Sequence, residues 1–471
     1  MTVTTTEHGR HAEDGRTATR RSAASEDRRE ARRVRADRRA RASRGESAPD
    51  ARVPASPGEA ERPPHRELVR RDLAERAHRI GLLRLVEEHG TPLVVLDPDR
   101  VTAQLLELRH HLPGVELRVA VDSLPHPALI RAVDAFGATF DVGSRHELDR
   151  LEGGGVALGG CVHTRSSLST ADLTGAYLRG IRTFVLDDPA PVGAFAGLPA
   201  DARLLVRLAA PAVADIGDGA SAAVGLEPAA ARDVVARCRR AGRHVAGFTV
   251  HVGGRAADAG AWAEAIGRAL ALMRTLERES VIGFDTLALA GDIPLAEDAS
   301  SAAPPAIVRA IRDSVAAAPS HCRVSLQPGR FVTAPAMTLV NRVVGTSATS
   351  DRRWVQPDGD LAAASGSPSE AVAAFVFAAS ELEYRSPADG DAERAIRRLR
   401  ERAYQDVTLT GGASDGARPG GRALRLPPLS VGDLLVSPGV GSDARGAASD
   451  SARGRPARVH VLADRRRPAR T

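Results

Sequence analysis

The chain has 471 residues, a net charge of +6 and 43% hydrophobic residues, which suits two folded domains with a tail and is ordinary for a soluble globular protein. Aromatics make up only 3%, so the core must rest on Ala, Val and Leu. All 65 basic residues are Arg and none is Lys; arginine stays protonated, so no side chain here offers a primary amine for Schiff-base chemistry.

Residues 1–65 are rich in Arg, Ser, Ala, Glu and Asp and almost free of large apolar residues. Such a segment buries too little surface to offset its ordering entropy and is expected to be a disordered tail. A tail that binds polyanions is the alternative, but it carries no interleaved aromatics to stack on bases, so nucleic acid is not an expected partner. Glu67–Glu88 places apolar residues (Leu68, Leu73, Ala77, Ile80, Leu83) at helical spacing, and Leu93–Leu96 reads as a strand. Residues 66–98 are thus a lead-in helix and strand.

Short apolar runs then recur at Leu117–Val121, Thr139–Val142, Val156–Gly160, Thr183–Leu186, Leu204–Leu208, Val245–Val252, Leu287–Ala290 and Val324–Leu326. Helix-length segments separate most of them: Pro125–Phe136, His146–Leu151, Pro228–Ala241 and Ala261–Arg278. Strands that alternate with helices imply parallel β/α units. Eight such units over residues 99–335 fit a closed (β/α)8 TIM barrel of the α/β class. From 336 to 465 the pattern turns mainly β, with strands at Thr338–Val344, Ala374–Ala378, Asp406–Thr410, Asp433–Val436 and Arg458–Leu462 and one helix at Ala392–Tyr404. Thr346–Pro368 and Gly411–Gly421, rich in Gly, Ser and Ala, read as mobile linkers.

Cys161, Cys238 and Cys322 are far apart and form no CxxC pair. That argues against a disulfide framework or a metal site and suits a reducing cytoplasm. No apolar stretch approaches the ~20 residues that span a bilayer, and MTVTTTEHGR lacks a hydrophobic signal core. A cytoplasmic location without membrane contact is expected.

Local strings carry more. They run Thr91-Pro92-Leu93-Val94-Val95-Leu96-Asp97, then Leu117-Arg118-Val119-Ala120-Val121-Asp122-Ser123, then Asp141-Val142-Gly143-Ser144 with Glu147. Val250-His251-Val252-Gly253-Gly254, Gln327-Pro328-Gly329-Arg330 and Thr410-Gly411-Gly412-Ala413-Ser414-Asp415 follow. In this order and spacing the chain resembles the fold-type III pyridoxal-phosphate (PLP) decarboxylases that act on ornithine, diaminopimelate and arginine, from about Thr91 to Val440. The resemblance implies an alanine-racemase-like barrel with PLP in its mouth, a β domain on which residues 66–98 pack, and a dimer whose sites form across the interface.

By the same resemblance His251 would stack on the cofactor ring, Asp141 and Glu147 would support the pocket wall, Arg207 would lie near the cofactor and Arg330 would approach its phosphate. Asp415 would reach the neighbouring subunit's site. Departures accompany these matches. Asp122 stands where the family carries its Schiff-base lysine, and a carboxylate cannot form an imine. The glycine-rich phosphate loop reads Ala290-Gly291-Asp292, which adds a side chain and a negative charge. Gln327 replaces the Glu that keeps the pyridine nitrogen protonated, Gly254 follows Gly253 in place of a Ser, and Ser414 replaces a Cys. His251 equally reads as a barrel-end core histidine and Asp141 and Glu147 as barrel hydrogen-bonding groups, while Asp122 paired with Asp292 or Asp141 is an alternative acid–base constellation. The resulting expectation is a degenerate, non-catalytic homologue that binds a small amino acid or polyamine and pairs with itself or an active paralogue. An active carboxy-lyase of polyamine or lysine metabolism is the alternative.

Overall fold

The computed structural model describes residues 64–124, 126–165, 169–188, 192–195, 197–210, 225–252, 258–280, 283–294, 305–349, 353–359, 376–382, 404–410, 424–440 and 457–462. All of them fall in the unit Pro63–Thr471. Two helices, Pro64–Ile80 and Leu82–His89, replace the single expected helix, because Gly81 at φ 67 breaks the run in a left-handed turn. Strand β1 (Leu93–Leu96) follows.

The next eight strands are β2 (Glu116–Ala120), β3 (Thr139–Val142), β4 (Val162–His163), β5 (Thr183–Leu186), β6 (Arg203–Leu208), β7 (His244–Val252), β8 (Thr286–Gly291) and β9 (Arg323–Gln327). They pair in sequence order, all in parallel, and β2 meets β9 through Leu117↔Leu326 to close the barrel. Helices Pro98–His111, Pro127–Phe136, Arg145–Gly153, Thr170–Leu178, Pro228–Arg240, Ala259–Ser280 and Pro305–Val315 are interspersed. One strand sits elsewhere than the sequence pattern suggests: Val156–Gly160 is not a strand. Leu158–Gly160 form a 3₁₀ turn and the barrel strand is Val162–His163. The glycines at 153, 154, 155, 159 and 160 favour turns over a ladder, and the apolar Val156 and Leu158 are buried without pairing.

Alternation along the strands sends one set of side chains outward to the helices and the other inward. Phe140, Phe184, Val206, Phe248 and Leu289 join the large outer core with Trp262 and Ile266 of the Ala259–Ser280 helix. Val162, Val185, Leu205, Ala246 and Ala288 form a separate small cluster lining the inside. Arg118, Asp141, Thr249 and Ser325 are buried polar residues of the same barrel, and this is where the site begins.

After the barrel, β10 (Met337–Ala348), β11 (Arg353–Pro357), β12 (Phe377–Ala378), β13 (Gln405–Leu409), β14 (Leu424–Leu426), β15 (Leu434–Pro438) and β16 (Arg458–Val461) build a second sheet. Its path is β12-β15-β10-β11-β13-β14, and β1 joins it antiparallel to β10 and parallel to β16. The expected linker Thr346–Pro368 is corrected in part: Thr346–Ala348 continue β10, and Arg353–Pro357 pair with it as β11. Ser347, Ala348 and Pro357 weaken the strand signal, but cross-strand pairing outweighs it. The rest of that stretch from 360, Gly411–Gly421, and the helix expected at 392–403 lie outside the described residues. Arg76 ties the first helix to the barrel–sheet junction, donating to Pro335 O at 3.0 Å and Thr338 Oγ1 at 2.7 Å. Burial pulls its guanidinium down to about 10. No helix among the described residues is long and apolar enough to cross a membrane.

Candidate functional site

The carboxyl ends of parallel barrel strands converge on one face, where loops and strand-end side chains surround a shared mouth. Ladder register shows which residues meet there: Ala120 opposite Asp141, Leu208 opposite Val250, His251 opposite Ala290, Val252 opposite Gly291 and Ala290 opposite Gln327. Asp141, Arg207, His251, Gly291, Gln327 and Arg330, scattered over nearly two hundred positions, are thus strand-end or post-strand residues of one face.

A network of opposite charges fills the interior below that mouth. Arg118 Nη1 lies 3.2 Å from Asp141 Oδ1, with side chains only 4% and 6% exposed. The contact is an ion pair without an aligned hydrogen bond, since neither Asp141 Oδ1 nor Arg118 Nε has a hydrogen-bond partner. Burial raises the Asp141 carboxyl above its ordinary range, while Arg118 and Arg207 pull it down and Asp122 pushes it further up. Arg207 pairs with Asp187 at 3.4 Å and donates to Thr164 O at 3.3 Å; burial holds its guanidinium below the usual value. Asp141 therefore faces arginines from two strands.

Asp122 stands exposed in the 3₁₀ turn Val121–Ser123 at the end of β2. Arg150 reaches this turn, donating to Val121 O at 3.2 Å and to Leu124 O. Glu147 is bound to the start of its own helix. Its carboxylate accepts the Gly143 N–H at 2.7 Å and the Ser144 hydroxyl at 2.8 Å, and Ser144 Oγ accepts the Glu147 N–H at 3.3 Å. This reciprocal Ser-x-x-Glu arrangement satisfies helix-start donors.

Across the mouth, β8 ends in Gly291 and β9 leads through Pro328 into Gly329. The Ile293 N–H donates to Pro328 O at 3.1 Å and ties the two exits together. A Cβ on Gly329 (φ +61) would lie 2.7 Å from Gly291 O and 2.8 Å from Asp292 Oδ1. A Cβ on Gly291 would strike Val252 O and come within 2.9 Å of the Trp262 ring. Only glycines permit this approach. The Asp292 carboxylate sits in the crossing: Oδ1 accepts the Arg330 N–H at 2.9 Å, and Oδ2 accepts Nε and is paired with Nη2 of the same arginine. His251 is exposed at the rim, but the surrounding barrel desolvates its imidazole and lowers its pKa, as does Arg207, with Asp292 opposing.

Gly253, Gly254, Ser414 and Asp415 lie outside the described residues. Arg118 is the site residue that the sequence reading passed over. A charged residue inside an otherwise apolar barrel run (Leu117-Arg118-Val119-Ala120) was the available signal, since an interior arginine requires a counter-charge. Among the described residues, no group of three or more His, Cys, Asp or Glu could hold a metal ion.

Comparison with known proteins agrees with this architecture. The lysine/ornithine decarboxylase of Vibrio vulnificus, solved with cadaverine, superposes with a TM-score of 0.67 at 24% identity, covering 82% of this chain and 99% of that one. The arginine decarboxylase of Paramecium bursaria Chlorella virus gives a TM-score of 0.68 at 16% identity over 81% and 99% of the two chains; at these identities the likeness is one of fold. In sequence, the Selenomonas ruminantium lysine/ornithine decarboxylase is 26% identical over 276 residues, 57% of this chain and 68% of the relative. The Deinococcus radiodurans diaminopimelate decarboxylase is 28% identical over 269 residues, 56% of this chain and 66% of the relative. Residues 98–334 match the family model described as pyridoxal-dependent decarboxylase, pyridoxal binding domain. With that match spanning half the chain and the barrel closed over the same residues, the chain belongs to the pyridoxal-dependent decarboxylase family.

Proposed function

We propose that this member of the family is not a PLP-dependent decarboxylase but a ligand-binding or regulatory homologue built on the same barrel. One observation carries this reading: Asp122 occupies the end of β2, and no lysine exists anywhere in the chain to take its place. PLP supplies an electron sink when it is held as an imine on a primary amine, and this polypeptide has no side chain of that kind. The residues around the implied phosphate position do not fit the group either, because Arg330 is committed to the Asp292 carboxylate. Gln327, partly buried at the end of β9, offers a neutral amide where a carboxylate would stabilise a protonated ring nitrogen.

The charged interior supports a small polar ligand of amino-acid or polyamine type. Association with a second family chain, itself or an active paralogue, is the proposed setting. Purified protein titrated with PLP should develop no long-wavelength imine absorbance and should release no CO2 from lysine, ornithine or diaminopimelate. Asp122→Lys combined with Asp292→Gly should gain that absorbance. Turnover by the unaltered chain would overturn the proposal and restore the active carboxy-lyase reading that its relatives' names suggest.

A further inference from the structure

We infer that Asp292 is a built-in anion: its carboxylate fills an oxyanion cradle at the barrel mouth, so the site rejects phosphate-bearing ligands until that one side chain is removed. The cradle is made of this chain's own groups. The Arg330 main-chain N–H and the Nε/Nη2 edge of its guanidinium point at the same two oxygens. A backbone N–H beside a guanidinium edge is a donor set that accepts carboxylate and phosphate alike. The crossing of Gly291 and Gly329 leaves their Cα positions bare, and the carboxylate lies where a Gly329 side chain would be, 2.8 Å from the ideal Cβ. The strand exits are pinned around it by Ile293 N–H to Pro328 O at 3.1 Å.

Both partners are only partly exposed, 22% for Asp292 and 28% for Arg330. The pair is thus neutral and internally satisfied. An incoming phosphate would meet a fixed negative charge and find that guanidinium edge already used. A ligand of this mouth carries no phosphate where Arg330 lies. The inference deepens the proposed loss of cofactor use and rests on the same site, but it makes a separate claim about which anion occupies the cradle.

The test is equilibrium binding of inorganic phosphate to the full chain and to Asp292→Gly, Asp292→Asn and Asp292→Gly/Arg330→Met, with folding checked by circular dichroism. Removing one like charge near a partly exposed site should tighten phosphate binding by at least about tenfold. Asp292→Asn should move in the same direction, which keeps the test decisive if the glycine variant fails to fold. Arg330→Met should erase the gain. Phosphate binding by the unaltered chain as tight as by Asp292→Gly would overturn the inference, as would folded variants with no gain or a gain that survives Arg330→Met. Amino-acid turnover by the unaltered chain would instead sink the proposed function and leave the phosphate result to stand or fall separately.

Discussion

Replacing Asp141 with alanine would leave the Arg118 guanidinium charged, buried and stripped of its carboxylate. The two side chains are 4% and 6% exposed and 3.2 Å apart, so water cannot take over the lost partner. Arg207 adds a second positive charge that bears on both Asp141 and Arg118's surroundings. Removing one member of a buried pair costs about 3–5 kcal/mol, whereas replacing both by apolar residues of similar volume is often neutral or stabilising. The raised Asp141 pKa agrees with the second half of that rule, since burial outweighs the pull of the arginines. Asp141→Ala should therefore lose about 3–5 kcal/mol, and Arg118→Met/Asp141→Leu should lose less than about 1.5 kcal/mol. Urea unfolding followed by tryptophan fluorescence suits the measurement, because Trp262 is fully buried on the barrel's outer helix. A single-mutant loss below about 1 kcal/mol, with the double mutant simply additive, would refute the idea that these charges hold each other inside the barrel.

Two glycines make opposite predictions. A Cβ on Gly247 would collide with the Thr286 carbonyl oxygen across the β7–β8 ladder, so Gly247→Ala should yield little soluble folded protein, whereas Gly267→Ala, in a helix with nothing within 4 Å of the new carbon, should raise stability by about 0.5–1 kcal/mol. Equal expression and thermal midpoints for the pair would contradict the packing described. The buried His163, stacked on Phe184 at 6.0 Å, has its pKa lowered chiefly by burial and also by Arg165, against its backbone hydrogen bond at Arg165 and the carboxylates of Glu147 and Asp172. The unfolded chain therefore takes up this proton first as pH falls below ~6.5, so the stability contribution is present above that value and lost toward the folded-state pKa. Urea midpoints of the unaltered chain should drop more steeply than those of His163→Gln between about pH 7.5 and pH 5.5, and parallel curves would count against this account.

The barrel was legible in the sequence because short apolar runs and helical periodicity are local properties, and a parallel sheet covered by helices leaves them as unbroken hydrophobic strings. Seven of the eight runs fall on barrel strands, while Val156–Gly160 does not, since its glycines allow burial without a ladder. The strings at Asp122, His251 and Gln327–Arg330 lie at or just past the carboxyl ends of β2, β7 and β9. What local pattern could not supply was who faces whom. Arg118 and Asp141 lie on neighbouring strands and pair inside a closed barrel. Asp292 and Arg330, 38 positions apart, meet only because β8 and β9 end side by side with two bare glycines between them. A composition rich in arginine announces that counter-charges are needed. Only closure of the sheet, which fixes which strand ends are neighbours and which of their side chains point inward, decides where they are found.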